Sequence, residues 1–248
     1  MRSEFNNKAK DYANGRPTYP KEILSKLIEL GITNNSNIAE IGGGTGLFTN
    51  MLCELGANVF AVEPSLEMLN ECKEYCNYNN IKCICALAEK TTLKDNSIDA
   101  ITIAQAFHWF DKKLCKIEFK RILHENGYVF TIWNSLEEDN DFTKEYMNLI
   151  HKYEIKTNAG NSYFDADKEK FDFFGQDFEK VYYDNYQRIT LDSLISNAVS
   201  ISYTPSKADE EYNDFVDQII ALFNKHNKDG YVTFHYTTEL SICQFVKE

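Results

Sequence analysis

The sequence lacks a long apolar stretch. Its longest charge-free apolar run lies between Asp99 and Asp111, which is too short to span a bilayer. No apolar segment near residue 1 has the pattern of a secretion signal. The seven cysteines are an odd number without a secretory context, which favours reduced thiols. We therefore expect a cytoplasmic protein with no membrane partner.

Positive charge is also scarce. The chain has 26 Lys and Arg against 38 Asp and Glu, which gives a formal net charge of −12. Such an acidic chain has no general affinity for nucleic acid or for anionic membrane surfaces. We therefore expect no nucleic-acid partner.

The cysteines do not have the spacing of a metal site. Cys72 and Cys76 are separated by three residues and Cys83 and Cys85 by one, whereas metal or redox sites usually combine CxxC with a nearby histidine. We interpret the four side chains as small buried hydrophobic groups and expect no metal.

Strand-like and helix-like segments alternate over the first 133 residues. The strand-like segments end near Ile41, Pro64, Ala86, Ala104 and Trp133, and helical patterns separate most of them. This order predicts an open parallel sheet that is covered on both faces. Two further strands are predicted at 181–189 and 231–246, with helices between them.

Residues 135–180 interrupt this pattern. The segment is helical or irregular, acidic and rich in aromatic side chains. We interpret it as a cap inserted into a single domain that spans 1–248, and we expect it to form the pocket for a second ligand. Some of its aromatic residues fill the core of the cap itself.

A glycine-rich stretch follows the first predicted strand, and it reads Glu40-Ile41-Gly42-Gly43-Gly44-Thr45-Gly46. Glycines at alternate positions between a strand and a helix expose backbone N–H groups and let a ligand approach the main chain. The next strand ends at Glu63, where a carboxylate can accept both hydroxyls of a ribose. The stretch therefore predicts a nucleoside site.

The glycine spacing distinguishes a dinucleotide ligand from a single nucleoside. A dinucleotide turn needs G-x-G-x-x-G, and Leu47 occupies the position of its third glycine. Glu40 near the helix start disfavours a pyrophosphate and suits an ammonium group. A nucleoside with a cationic amino-acid tail fits both acids, which describes S-adenosyl-L-methionine.

The same residues resemble a known family. The run 40–46 and the run Val62-Glu63-Pro64-Ser65 are similar to the first two motifs of class I S-adenosylmethionine-dependent methyltransferases. Residues 87–93 with 96–99 resemble the loop beside the adenine. Arg16-Pro17-Thr18-Tyr19-Pro20 and the run 104–111 resemble the type 11, trans-aconitate methyltransferase-like branch. The resemblance covers residues 5–133 well.

The resemblance implies a Rossmann-like, doubly wound, mainly parallel sheet of seven strands with an antiparallel last strand. It assigns the methionine end of the cofactor to Glu40 and the glycines, and the ribose to Glu63. It assigns the adenine edge to the Ala88 backbone and Glu89, although Leu87 stands where the family often has Asp. The implied cofactor-binding residues are Tyr12, Arg16, Tyr19, Glu40, Gly42, Gly44, Gly46, Glu63, Pro64, Met68, Ala88, Glu89, Gln105 and Phe107.

The first twenty residues have two interpretations. By the resemblance, Tyr12, Arg16 and Tyr19 fold over the cofactor as a lid that excludes water. Alternatively, Tyr19 and Pro17 pack the first helix.

His108 also has two interpretations. It is a general base for an acceptor that must lose a proton, or it fixes the turn before the helix at Asp111.

The predicted function is methyl transfer from S-adenosyl-L-methionine to an O, N or C atom, or a carboxylate, of a small molecule, by a monomer or homodimer. Nucleic-acid methylation is disfavoured because Ala-Gln-Ala-Phe stands where an Asn/Asp-Pro-Pro-Tyr turn would be needed, and no Pro-Cys nucleophile is present. Two alternatives stay open: a non-catalytic S-adenosylmethionine-binding protein, and another reaction type such as cyclopropanation. The acidic stretch 135–186 favours a neutral or cationic acceptor, with Arg16 and Arg188 as counter-charges for an anion.

Overall fold

A computed structural model describes residues 15–153 and 166–245. Over these residues the chain forms two compact units. The larger unit comprises 18–134, 166–183 and 238–245, and the smaller unit comprises 15–17, 135–153 and 184–237. The segment 135–180, predicted to be one inserted cap, therefore contributes to both units, and its role as a cap stays a prediction. No described helix is both long enough and apolar enough to cross a membrane.

The seven strands form one sheet in the order β3-β2-β1-β4-β5-β7-β6. The strands are β1 Asn37–Ile41, β2 Asn58–Val62, β3 Ile81–Ile84, β4 Ile98–Ala104, β5 Leu123–Leu136, β6 Glu179–Ile189 and β7 Val232–Gln244. The pairs β1–β2, β2–β3, β1–β4 and β4–β5 are parallel. The predicted fold class, a Rossmann-like sheet with an antiparallel end, is confirmed.

Helices connect most of these strands. They are α1 Glu22–Glu29, α2 Leu47–Glu54, α3 Leu66–Tyr75, α4 Lys112–Ile122, α5 Asp141–Lys152, α6 Ala166–Phe174, α7 Leu191–Ser200 and α8 Tyr212–His226. Side-chain caps fix several helix starts. Ser65 accepts a hydrogen bond from the Met68 N–H, and Asp111 accepts from the Lys113 and Leu114 N–H groups.

The central strands are apolar because both faces of the sheet are covered. One buried cluster contains Ile101, Ile103 and Phe119, and a second contains Ile38 and Phe48. In the smaller unit, α5, α7 and α8 enclose a separate cluster around Tyr146, Leu194, Phe215 and Phe234. Each unit therefore has its own core.

Several predicted strand boundaries are wrong: β2 ends at Val62 rather than near Pro64, and β5 continues to Leu136 rather than ending near Trp133. β5 begins at Leu123 rather than after Gly127, because Leu123 pairs with Ile98 ahead of a register shift in the β4–β5 ladder. β3 ends at Ile84 rather than at Ala86. The turn formed by residues 87–90 follows it, closed by a hydrogen bond from the Lys90 N–H to the Leu87 carbonyl at 3.1 Å.

The sheet order locates the ligand edge. From β1 the chain moves outward through β2 to β3, then returns to β4 on the other side of β1. Loops that leave β1 and β4 therefore diverge, and ligands of open α/β sheets bind in the crevice formed where the strand order reverses. The glycine stretch follows β1 at this point.

Candidate cofactor site

The glycine turn depends on three left-handed residues. Gly42, Gly44 and Gly46 have φ angles of +74°, +56° and +92°, a region that side chains rarely adopt. A Cβ at Gly42 would lie 2.6 Å from the Ala106 Cβ, and one at Gly46 would lie 2.8 Å from the Cys72 Sγ. A Cβ at Gly44 would have no protein atom within 4 Å. A side chain at Gly42 or Gly46 would therefore clash inside the protein, whereas Gly44 faces open space.

The turn is tied to the end of β2. The N–H groups of Gly42 and Gly43 donate to the Val62 carbonyl at 2.8 and 3.3 Å. The Asn50 N–H donates to the Gly46 carbonyl at 2.8 Å, which continues the turn into α2. The backbone around Gly44 is thus held without any side chain of its own.

Glu63 lies beside Gly44. Its carboxylate accepts hydrogen bonds from the Gly44 N–H at 3.1 Å and from the Ser65 N–H at 2.9 Å. Burial raises the pKa of Glu63, and these two hydrogen bonds oppose the increase. Met68 is buried one helical turn further on. The carboxylate predicted to bind ribose is therefore fixed at the carboxyl end of β2, with Pro64 next to it.

Glu40 has different surroundings. It is only 1% exposed, and its carboxyl group accepts a hydrogen bond from the Thr49 hydroxyl on α2. Burial raises the pKa of Glu40 to about 8, while the Thr49 hydrogen bond lowers it and the Glu63 charge raises it further. Glu40 is therefore mostly protonated at neutral pH. Sequence reasoning missed Thr49, because no motif marks a partner nine residues away.

The segment predicted to meet adenine follows β3. Ala88 is 6% exposed and belongs to the same buried cluster as Val62 and Phe107. The Glu89 carboxylate accepts the Asp111 N–H at 3.0 Å, just before α4 begins. Leu87 is exposed. One oxygen of Glu89 is thus engaged, and its second oxygen and the backbone carbonyls of this turn are the candidate acceptors for an adenine amino group.

Gln105 ends β4 in a left-handed conformation, with φ +56°. Its N–H donates to the Ile132 carbonyl and its side-chain amide to the Asn134 carbonyl, both at 3.0 Å. Phe107 packs edge-on against Phe173 at 5.1 Å, inside the core. Strained non-glycine residues are typical of functional sites. Gln105 therefore fits its predicted place better than the buried Phe107 does.

His108 lies among aromatic rings, 4.5 Å from Trp109 and 5.1 Å from Trp133 between ring centroids. Burial, with a smaller contribution from the Lys112 charge, lowers the pKa of His108 to about 4. Its Nδ1 is buried and has no hydrogen-bond partner among the described residues. His108 is therefore neutral at physiological pH and retains an unused ring nitrogen.

The three residues predicted to form a lid do not fall in the same described unit. Tyr12 lies outside the described residues. Arg16 belongs to the smaller unit, where its guanidinium donates to the Ser200 carbonyl at 3.2 Å. Tyr19 belongs to the larger unit and packs edge-on against Phe48 at 5.2 Å. The Thr18 carbonyl next to it accepts a hydrogen bond from the Asn134 side chain. Sequence reasoning did not single out Asn134.

The larger unit thus brings most of the predicted residues to one edge. The glycines, Glu63, Met68, Ala88 and Gln105 lie at or just after the carboxyl ends of β1 to β4. Within the described residues there is no group of three or more His, Cys, Asp or Glu side chains that could hold a metal ion. Cys72 and Cys76 are buried as predicted and Cys83 is half-buried. The predicted burial is wrong for Cys85, which is exposed because β3 ends at Ile84, one residue before it.

Comparisons with known proteins agree with this geometry. Residues 39–131 match the family described as a methyltransferase domain. An uncharacterised methyltransferase of Mycobacterium tuberculosis is 32% identical over 150 residues, which are 60% of either chain. The match therefore spans about 60% of that relative's length. Another, from Schizosaccharomyces pombe, is 25% identical over 94% of both chains.

A solved structure has the same fold. It is a proposed type II methyltransferase from Anaeromyxobacter dehalogenans, with a TM-score of 0.67 and 16% identity, and the alignment covers 94% of this chain and 99% of that one. The fold and the site define the class I S-adenosylmethionine-dependent methyltransferases. Residues 39–131 of this chain match the methyltransferase domain of that family, and the cofactor of this domain is S-adenosyl-L-methionine.

Proposed function

We propose that this protein transfers a methyl group from S-adenosyl-L-methionine to an O, N or C atom, or a carboxylate, of a small molecule. The observation that carries the proposal is the Glu63 carboxylate fixed by the Gly44 N–H, beside the open space at Gly44. A ribose held by Glu63 places the amino-acid tail of the cofactor along the glycine turn. The two acids of the predicted pattern, Glu40 and Glu63, then both contact the cofactor.

The roles follow from position. Glu63 and Pro64 hold the ribose, Met68 contacts the ribose or adenine, and Ala88 and Glu89 border the adenine. Glu40, Gly42, Gly44 and Gly46 hold the methionine end, with Gln105 and Phe107 beside it. In this proposal the buried Glu40 loses its proton when the cofactor ammonium arrives, because a positive charge nearby stabilises the carboxylate.

The cofactor supplies an electrophilic methyl carbon on a sulfonium. Transfer to an acceptor would require the acceptor atom to lie in line with the methyl–sulfur bond of the bound cofactor. The protein therefore has to align the two atoms and exclude water. Tyr12, Arg16 and Tyr19 are proposed to close over the cofactor for that purpose.

A base is needed only for an acceptor that must lose a proton. His108 is neutral and has an unused Nδ1, so it can accept a hydrogen bond from such an acceptor. Its low pKa makes it a weak base, which favours acceptors that are already nucleophilic, such as carboxylates. Its alternative role is to fix the turn before α4. Membership of the trans-aconitate methyltransferase-like branch would fit a carboxylate acceptor.

The test has two parts. Calorimetry should detect binding of S-adenosyl-L-homocysteine to the purified protein, and a panel of small metabolites should include one that releases this product from S-adenosyl-L-methionine. Binding without turnover on a panel of carboxylates, amines and phenols would favour the non-catalytic alternative. A product with an added ring carbon would indicate cyclopropanation. Gel filtration of the same sample distinguishes the proposed monomer from the homodimer.

A further inference from the structure

A buried carboxylate fastens the loop after β3 to helix α4. Glu118 is 7% exposed and Thr91 is fully buried. Glu118 Oε1 accepts hydrogen bonds from the Thr91 N–H at 2.7 Å and from the Thr91 hydroxyl at 2.6 Å. One carboxylate oxygen therefore accepts from both hydrogen-bond donors of a single loop residue.

Arg121, one turn further along α4, completes this attachment. Its Nε and Nη2 donate to the two Glu118 oxygens at 2.8 and 2.7 Å, which is a bidentate pair. Its Nη1 donates to the Leu93 carbonyl at 2.8 Å and to the Asp95 carboxylate. Burial tends to raise the pKa of Glu118, but the hydrogen bonds from Arg121 and Thr91 outweigh it and keep the pKa below its usual value. The pair is ionised.

These contacts lie on both sides of a strained residue. Thr92 has a φ of +64°, and β-branched residues rarely adopt positive φ. Thr91 before it is held by Glu118, and Leu93 after it is held by Arg121. Backbone strain of this kind persists where the surroundings fix it, and it clusters around ligands.

The position of the loop relates it to the cofactor. It leaves β3, which pairs with β2, and the Glu63 N–H donates to the Ile84 carbonyl at 3.0 Å. The glycine turn occupies the β1 side of Glu63. A base attached to a ribose at Glu63 therefore extends toward the β3 side, where residues 87–89 lie.

The adenine amino group needs a hydrogen-bond acceptor there. Leu87 has no polar side-chain atom, and the Glu89 carboxylate already accepts the Asp111 N–H. Asp111 uses only one oxygen of Glu89, and the Leu87 carbonyl accepts the Lys90 N–H. The acceptor is therefore the second Glu89 oxygen or another backbone carbonyl of the turn, and the direction of either depends on how the loop is held. A carbonyl that is held rigidly would repel the carbonyl that replaces the amino group in a deaminated base.

We propose that Glu118 is a positioning residue that acts through Thr91 to orient the 87–89 backbone, so that the protein selects adenine over hypoxanthine in its cofactor. The proposal rests on the proposed function, since it needs the cofactor to occupy this edge. It goes further by naming the side chains that set base selectivity.

Calorimetry with two ligands tests the proposal. The probes are S-adenosyl-L-homocysteine and its deaminated analogue S-inosyl-L-homocysteine. We expect the wild-type protein to prefer the adenosyl ligand at least tenfold. Thr91→Val has the same shape without the hydroxyl and should weaken binding of the adenosyl ligand about tenfold while changing the inosyl ligand less than threefold. Thr91→Ser should restore the preference.

Glu118→Gln should behave like Thr91→Val. Asp95→Asn is the matched control, because it removes an Arg121 partner without touching Thr91, and it should leave both affinities unchanged. A purely structural role for Glu118 would weaken both ligands equally, and that result would overturn the proposal. Equal affinity of the wild-type protein for both ligands would overturn it too.

Failure of the proposed function would look different, since the wild-type protein would then bind neither ligand. Thermal unfolding of each ligand-free variant shows whether it is folded at the temperature of the assay. If Glu118→Gln does not fold, the Thr91→Val and Thr91→Ser pair alone decides the outcome.

Discussion

The Thr49 hydroxyl donates a hydrogen bond to the buried carboxyl group of Glu40 and so joins helix α2 to the end of strand β1. A carboxyl group in this environment resists ionisation, and burial raises its pKa to about 8. The acid that sequence motifs associate with the cofactor is therefore also an internal contact of the protein. Both properties can be measured separately.

The first prediction concerns stability in the absence of cofactor. The pKa of Glu40 is about 8 in the folded chain against 4.5 for an ordinary glutamate, so the folded state binds the proton more tightly. Its contribution to stability is then complete below pH 4.5 and is lost as the pH rises through 8, by up to about 1.4 kcal/mol per pH unit. Glu40→Gln cannot ionise and keeps an acceptor for Thr49.

Urea unfolding at pH 5, 6.5 and 8 checks this prediction. The stability of Glu40→Gln relative to the wild-type protein should increase with pH. Glu54→Gln, an exposed acid on the same helix as Thr49, serves as the control and should show no such trend. A difference that is constant across the three pH values would mean that Glu40 is ionised in the folded chain.

The second prediction concerns the ribose. Glu63→Gln should weaken binding of S-adenosyl-L-homocysteine at least tenfold, which is about 1.4 kcal/mol, because an amide offers one acceptor oxygen in place of two. Glu67→Gln, four residues along on exposed surface, should bind normally. Calorimetry at pH 7.5 measures both. Equal affinities of these two variants would remove Glu63 from the site.

The third prediction separates two uses of glycine. Gly44→Ala strains the backbone by about 1 kcal/mol and places a methyl group in open space, so it should reduce cofactor affinity with little loss of stability. Gly31→Ala, also at positive φ with nothing within 4 Å, should lose similar stability and bind cofactor normally. Gly46→Ala meets Cys72 and should lose at least about 2 kcal/mol.

Urea denaturation and calorimetry on the three alanine variants test this set. The informative comparison is Gly44→Ala against Gly31→Ala, since their backbone strain is alike. If both bind cofactor as the wild-type protein does, the space at Gly44 does not receive the ligand.

The fourth prediction concerns His108. With a pKa of about 4 its imidazole stays neutral, so turnover should be independent of its ionisation between pH 5.5 and 8. If it accepts the acceptor's proton, His108→Asn lowers kcat about a hundredfold or more across this range. His124→Asn, on an exposed histidine, is the control. A fall in kcat centred near pH 6.5 that disappears in His108→Asn would contradict the low pKa.

Much of the fold was predictable because strands, turns and helix starts are marked by residues that are close together in the chain. Gly42, Gly44 and Gly46 have the positive φ that their spacing suggested, and Ser65 and Asp111 cap the helices predicted to follow them. The strand start at Leu123 was not predictable, because a register shift in a ladder leaves no periodic trace.

The site was predictable only in part. Glu63 is fixed where its motif suggested, but no sequence motif indicated that Thr49 would hydrogen-bond to Glu40 or that Asn134 would hold Thr18 and Gln105. Glu118 and Arg121 looked like ordinary charged residues of a helix. Their partners in the loop after β3 are 26 to 28 residues distant in the chain, and only folding brings them together.

The sequence by itself determined the cofactor and the alternation of the first five strands with helices along the chain. These features depend on glycine conformation, strand ends and helix caps, which are set by residues that are close in the chain. The tertiary structure decided which acids are charged, which side chains are already engaged, and how the loop after β3 is held. Those properties depend on burial and on partners from distant elements, since a pKa is set by desolvation and by neighbouring charges in space.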